Sequence, residues 1–203
     1  MKVVEIEDHG VTKIPDAGAR YDQGSQEFLR TKPKEINITQ PNGTGFEVED
    51  NFISWEGWNF RVSIDPISGL VLHNVTCQDR PILYRAAMSE MVVPYGSSDP
   101  MHSWKAVHDG TEYAFGSLAN SLKLGCDCLG EIFYIDSNQL NSDGTVKIIE
   151  NAICLHEEDF GIQWKHSNTF GEGFSEARRS RRLVISSFST VGTYDYGVYW
   201  YLY

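Results

Sequence analysis

Apolar and polar residues alternate with a period of two along several stretches of this chain, and no window of about twelve residues follows a helical period. Asn59-Phe60-Arg61-Val62-Ser63-Ile64 alternates cleanly and predicts a strand. Asp65-Pro66-Ile67-Ser68-Gly69 supplies turn chemistry, and Leu70 to Val75 returns as a second strand. Ile82 to Val93 predicts one or two more, ended by Pro94. Ser121 to Leu124 and Ile132 to Ile135 are short strand candidates. Asn141-Ser142-Asp143-Gly144 reads as a turn before a strand at Thr145 to Ile149. Leu183 to Thr190 is a further strand, and Tyr194 to Tyr203 alternates strongly to the last residue. At the other end, Val3-Val4-Glu5-Ile6 is a strand-like run. Residues 13–45 are polar and rich in Pro, Gly, Asp and Gln, which predicts a linker draped over a surface. Short strands separated by turns imply a mainly β chain, an antiparallel β-sandwich behind an N-terminal linker. The final Trp200-Tyr201-Leu202-Tyr203 is apolar with no turn or polar tail, so we expect the sandwich to be interrupted there.

Composition narrows the function classes. The chain has 203 residues, enough for one domain or one and a piece of another. A net charge of −11 repels phosphate backbones, which argues against a nucleic-acid partner and favours a cationic small molecule. No apolar run is long enough for a membrane helix. Acidic residues follow Met1-Lys2-Val3-Val4 at once, so no secretory signal is seen. The expectation is a cytoplasmic protein, or a periplasmic or extracellular one if the natural N-terminus is missing. Sequons at Asn37, Asn42 and Asn74 then read as chance matches. Four cysteines, Cys77, Cys126, Cys128 and Cys154, neither demand nor exclude a disulfide.

Candidate chemistry is sparse on first inspection. Thr190-Val191-Gly192-Thr193-Tyr194-Asp195-Tyr196 is a strand start with a glycine bend and two tyrosines two apart; its plain reading is an aromatic sheet face. Asp109, in His108-Asp109-Gly110-Thr111-Glu112-Tyr113, reads as a loop aspartate making an Asx-turn. Cys126-x-Cys128 with Cys154-x-His156 offers four zinc-type ligands, at spacings tight for common zinc knuckles. Arg178-Arg179-Ser180-Arg181-Arg182 reads as a solvated, salt-bridged strand entrance. His156-Glu157-Glu158-Asp159 reads as a structural turn rather than a cation site. Six histidines occur, at 9, 73, 102, 108, 156 and 166; none forms His-x-His and none follows Tyr194.

The segment from Thr190 resembles the T-x-x-N-Y-[DE]-Y motif of copper amine oxidases, with Thr193 in place of the Asn. The resemblance extends through Gly197-Val198-Tyr199-Trp200-Tyr201-Leu202-Tyr203. It includes Arg80-Pro81-Ile82-Leu83-Tyr84-Arg85, Ser89 to Gly96, Ala119 to Gly130, and Ile153 to Asp159. The blocks come in family order, from about Glu35 to Tyr203, so residues 1–34 look like the tail of a preceding small domain and a linker. The matched part, 35–203, looks like the N-terminal part of the family's catalytic β-sandwich.

That resemblance implies a chemistry. Tyr194 would be the precursor of 2,4,5-trihydroxyphenylalanine quinone (topaquinone), whose carbonyl a primary amine attacks to form a Schiff base, so that the protein is the electrophile. Asp109 would be the base that takes the substrate's α-proton, a task that suits a carboxylate of raised pKa. Tyr95 would position the quinone. Val107 would stand where family members often carry an aromatic gate, which predicts a wider entrance. Substrate contacts would come from Val107, His108, Asp109, Gly110 and Tyr113 and from Val191, Gly192, Thr193, Tyr194, Asp195 and Tyr196. Cys128 and Cys154 would form a disulfide, leaving Cys77 and Cys126 as free, buried thiols.

The implied protein is a homodimeric primary amine oxidase. It would turn primary amine, O2 and water into aldehyde, ammonia and hydrogen peroxide, with Cu2+ as second cofactor. No residue here matches the family's copper ligands, so the 203-residue chain alone is expected to keep Tyr194 unmodified and to be inactive. The rival expectation is a non-catalytic β-sheet remnant, at most an interaction module. The preferred amine is not legible from these residues.

Overall fold

The computed structural model describes residues 2–11, 20, 22–168, 170 and 173–203. Eleven strands and two short 3-10 turns, Gln23–Ser25 and Phe115–Leu118, make up its regular structure. The chain divides into two compact units, Met1–Ile36 with Val93–Val107, and Asn37–Val92 with His108–Tyr203.

The larger unit holds two antiparallel sheets, as the alternating pattern predicts. The first is a meander of β1 (Phe46–Glu49), β2 (Phe52–Trp55), β3 (Trp58–Asp65), β4 (Gly69–Cys77) and β5 (Arg80–Ala86), paired in chain order. The second is formed by β8 (Phe133–Leu140), β9 (Val146–Ser167), β10 (Ser175–Val191) and β11 (Tyr194–Leu202), again neighbours in sequence. Successive strands pair because the turns between them are short and of the right chemistry. Asp65 Oδ1 accepts from the amides of Ile67 and Ser68 at 2.9 and 2.7 Å, closing the β3–β4 turn. Gly144, at φ +82°, donates to the Asn141 carbonyl in the β8–β9 turn.

The two sheets face each other across one core. Phe60, Val62, Ile64, Leu70 and Leu72 of the first pack with Ile153, Leu155, Leu183, Ile185 and Leu202 of the second. Eight of these, all but Ile64 and Leu202, are fully buried. Each contributes about 1.5–3 kcal/mol by leaving water. Polar contacts also join the two sheets. Glu157 on β9 is 5% exposed and accepts from Trp55 Nε1 at 3.0 Å and from the Gly45 amide and Gln40 Nε2 at 2.6 Å each.

Several local expectations are corrected. Val3–Ile6 forms no strand; Val4 and Ile6 are exposed, with no partner strand to reward their β-propensity. Ser121–Leu124 is no strand either, only an isolated bridge from Leu124 to Cys128. His156-Glu157-Glu158-Asp159 is not a turn but the middle of β9. The arginine run lies within β10 rather than at a strand entrance. It is salt-bridged as expected: Arg179 pairs with Asp159, Arg181 with Glu157 at 3.6 Å, and Arg182 with Glu158 at 2.6 Å. Cys128 and Cys154 form the disulfide, which removes the zinc alternative. Cys77 and Cys126 are free, but Cys126 is exposed and Cys77 half-buried. Part of the predicted linker, 13–19 and Tyr21, lies outside the described residues.

β6 (Val92–Pro94) and β7 (Ala106–His108) pair as a two-stranded ribbon; Val93, Pro94, Ala106 and Val107 belong to the smaller unit. Among the described residues no helix is long and apolar enough to cross a membrane.

Candidate active site

Residue Tyr194 opens β11, directly after the tight turn that joins it to β10. Val191 pairs with Tyr194, so Gly192 and Thr193 alone make the turn. Gly192 sits at φ +63°, the first central position that a II′ hairpin turn reserves for glycine. A side-chain chain braces this hairpin. Asn120 Nδ2 donates to Thr190 Oγ1 at 3.0 Å, and Thr190 Oγ1 donates to Asp195 Oδ1 at 2.9 Å. The Asn120 amide also bonds the Phe188 carbonyl at 2.7 Å, which fixes the loop before the disulfide against β10.

Period two puts Tyr194 and Tyr196 on one face of β11. Their rings lie 6.4 Å apart. Tyr194 is half-exposed, whereas Tyr196 reaches inward and meets the edge of Phe115 at 5.8 Å. The Tyr196 hydroxyl donates to Asp109 Oδ2 at 2.7 Å. Asp109 is 3% exposed, so this carboxylate is buried with a phenol as partner instead of making the Asx-turn that its place before Gly110 suggests.

The Asp109 loop is anchored on both sides. The Asp109 amide donates to the Met91 carbonyl at 2.8 Å, and the Phe115 amide to the Gly110 carbonyl at 3.1 Å. Phe115 is fully buried and packs so closely on the β3–β4 turn that a Cβ at Gly69 would lie 2.8 Å from its ring. The Ser117 amide donates to the Pro66 carbonyl at 3.0 Å. Buried Gln139 on β8 donates to the Gly116 carbonyl at 3.0 Å.

Beside Asp109 stands Glu90, a residue given no individual role in the sequence reading. Its Oε1 accepts from the amides of Met91 and Gly110 at 2.8 and 2.9 Å, and Oε2 accepts from the Thr111 hydroxyl at 2.7 Å. These bonds, the Thr111 hydroxyl first, hold its carboxyl below the usual carboxylate range. His108 Nδ1 lies 3.8 Å from Oε2, and the His108 amide donates to Glu112 Oε2 at 2.6 Å.

The structure thus joins Asp109, Gly110, Tyr194, Asp195 and Tyr196 in one unit, through residues 87 positions apart at the Tyr196–Asp109 bond. Val191 is buried beneath the hairpin, and Tyr113 and Thr193 are exposed. Tyr95 and Val107 belong to the smaller unit, where the Tyr95 amide donates to the Lys105 carbonyl and Lys105 Nζ lies 5.7 Å from the Tyr95 ring centre. The concave surface between β4 and β5, lined by Val75, Pro81 and Tyr84, holds none of the candidate residues. Among the described residues no three His, Cys, Asp or Glu side chains gather as a metal site.

A family model described as copper amine oxidase, enzyme domain, matches residues 47–203. A primary amine oxidase of Arthrobacter sp. (strain P1) is 48% identical over all of this chain and 32% of its own length. A histamine oxidase of Arthrobacter globiformis is 47% identical over all of the chain and 30% of its length. The crystal structure of a copper-containing benzylamine oxidase from Hansenula polymorpha superposes with a TM-score of 0.82 at 35% identity, covering 90% of this chain and 29% of that one. The chain therefore spans about a third of the curated relatives it matches.

Proposed function

The chain belongs to the copper amine oxidase family, and from that premise we propose that the protein carrying it oxidises primary amines to aldehydes, with Tyr194 as quinone precursor and Asp109 as base. The observation that carries this reading is the Tyr196–Asp109 bond, which brings the candidate base to the hairpin that presents Tyr194. Both elements have independent anchors, so the two side chains are held in register rather than meeting by chance.

The residues fit a quinone at position 194. The ring is half-exposed, and Gly192 lets the hairpin turn tightly behind it. When formed, the quinone supplies an electrophilic carbonyl for the amine nitrogen. The rest is done by the chain's own side chains. Tyr196 occupies Oδ2 of Asp109 and leaves Oδ1 to take the proton from the substrate carbon next to nitrogen. Burial of Asp109 keeps bulk water from competing for that oxygen. The brace from Asn120 through Thr190 to Asp195 holds the hairpin, and with it the ring at 194, against rotation. The net charge of −11 favours the arrival of an ammonium-bearing substrate.

Copper is the family's second cofactor. The described residues do not fit it as a ligand set, and no step here is assigned to it. The family also implies a homodimer. Support comes from the outer half of the β9–β10 hairpin, where Phe160, Ile162 and Trp164 are exposed on a two-stranded arm.

The test is amine-dependent release of hydrogen peroxide by the protein that carries this chain. Asp109→Asn and Tyr194→Phe should each abolish it. Full activity in either variant would overturn the assignment.

A further inference from the structure

The two residues that follow Asp109 dock on a second carboxylate, that of Glu90. We infer that Glu90 is a positioning residue for Asp109, an inference that rests on the proposed role of Asp109 as base. The contacts of Glu90 converge on the two residues that follow Asp109. Oε1 accepts from the Gly110 amide at 2.9 Å and more distantly from the Thr111 amide at 3.4 Å, and Oε2 accepts from the Thr111 hydroxyl at 2.7 Å. The neighbouring Met91 carbonyl accepts from the Asp109 amide at 2.8 Å. Residues 90–91 and 109–111 are therefore zipped together by consecutive amides of the base loop.

Sequence and geometry agree on how this contact is made possible. Gly110 does not need a left-handed conformation. It needs the absence of a side chain, because a Cβ there would lie 2.6 Å from Glu90 Oε1 and 3.6 Å from the Glu90 Cα. A side chain at 110 would displace that carboxylate end from the loop amides it accepts. Glu90 is itself only partly exposed, and its Oε1 is also held by the Met91 amide at 2.8 Å, so the acceptor is fixed before the loop docks on it. A charged acceptor taking several amide bonds is a stiffer anchor than a neutral one.

A base that abstracts a carbon-bound proton is sensitive to displacement on the scale of an ångström. Loss of Glu90 should therefore act on proton abstraction more than on amine binding. The experiment uses the oxidised, metal-loaded protein that carries this chain, with benzylamine and its α-deuterated form as probes. Glu90→Ala should lower kcat roughly 10- to 100-fold with KM little changed, and should raise the deuterium isotope effect. Glu90→Gln keeps an oxygen for the backbone amides and should restore most of kcat. Thr111→Ala, which removes one hydroxyl and no backbone bond, should give a smaller fall in the same direction and keeps the test open should Glu90→Ala not fold. Asp109→Asn is the control for the underlying reading. If it is inactive while Glu90→Ala and Thr111→Ala keep the parental kcat and isotope effect, Glu90 does not position the base. An active Asp109→Asn would instead overturn the base assignment, and this inference with it.

Discussion

The Tyr196 hydroxyl donates to Oδ2 of Asp109 at 2.7 Å, joining the strand that carries Tyr194 to a loop 87 residues earlier in the chain. One consequence is direct. A hydrogen bond to a charged acceptor contributes about 1.5–3 kcal/mol. Tyr196→Phe keeps the ring against Phe115 and removes only the donor. It should lower kcat by roughly 10- to 100-fold, converting that energy at about 1.4 kcal/mol per decade. Steady-state peroxide release, with thermal melting as a folding control, checks this. An unchanged kcat would show that the bond has no catalytic weight.

The brace behind the hairpin makes a second prediction. Thr190→Val keeps shape and removes the hydroxyl that links Asn120 to Asp195. The hairpin should loosen, seen as faster amide exchange at 192–196, with a fall in kcat. Stability should drop by only about 1 kcal/mol, since the strand ladder itself is intact. Asn120→Ala should reproduce the effect, and the double variant should add little to either.

The disulfide predicts a stability effect. Cys128–Cys154 ties the loop after Asn120 to the centre of β9, across 26 residues. Replacing both cysteines with serine should cost roughly 2–5 kcal/mol in denaturant unfolding. The pair sits in a small apolar cluster with Leu122, so alanine should cost less than serine.

Acid stability should depend on Glu157. Burial raises its pKa, but the hydrogen bonds from Gly45, Trp55 and Gln40 and the charge of Arg181 outweigh it, and the net shift is downward. The folded state therefore holds its proton less tightly than the unfolded chain. This contribution to stability is complete above the unfolded glutamate pKa of about 4.3 and is lost as pH falls through the folded value. Glu157→Gln should be destabilised at neutral pH and should show a flatter loss of stability below about pH 4. Parallel acid curves for parent and variant would contradict this account.

Much of the fold was legible because its long central strands carry the period-two pattern. β3 and β11 alternate in burial, and Phe60, Val62 and Ile64 fall on the buried side of β3, whereas β4 is buried on both faces from Gly69 to Leu72. β1 and β2 were missed: four residues each, split by Asp50 at φ +54°, they are too short to show a period. Only the first five residues of the β9 region read as a strand, since residues 152–157 are buried on both faces and show no period of two. Ser121–Leu124 has strand composition, yet its geometry is set by the disulfide loop.

The site was legible mainly through resemblance. Taken alone, Asp109 looked like a turn residue, and nothing local to it points to Tyr196. Glu90 gave no signal of its own. The one clue was a glycine directly after Asp109, whose missing side chain makes room for a carboxylate 20 residues away. Contacts across such separations are set by how the sheets pack, which periodicity does not encode.

The central claim concerns the chemical state of Tyr194. The protein that carries this chain should be produced with copper, exposed to air, digested, and the peptide that contains Tyr194 sequenced by mass spectrometry. The account predicts that Tyr194 has gained two oxygen atoms and lost two hydrogens while neighbouring Tyr196 is unchanged. An unmodified Tyr194 in copper-loaded, oxygenated protein would contradict it.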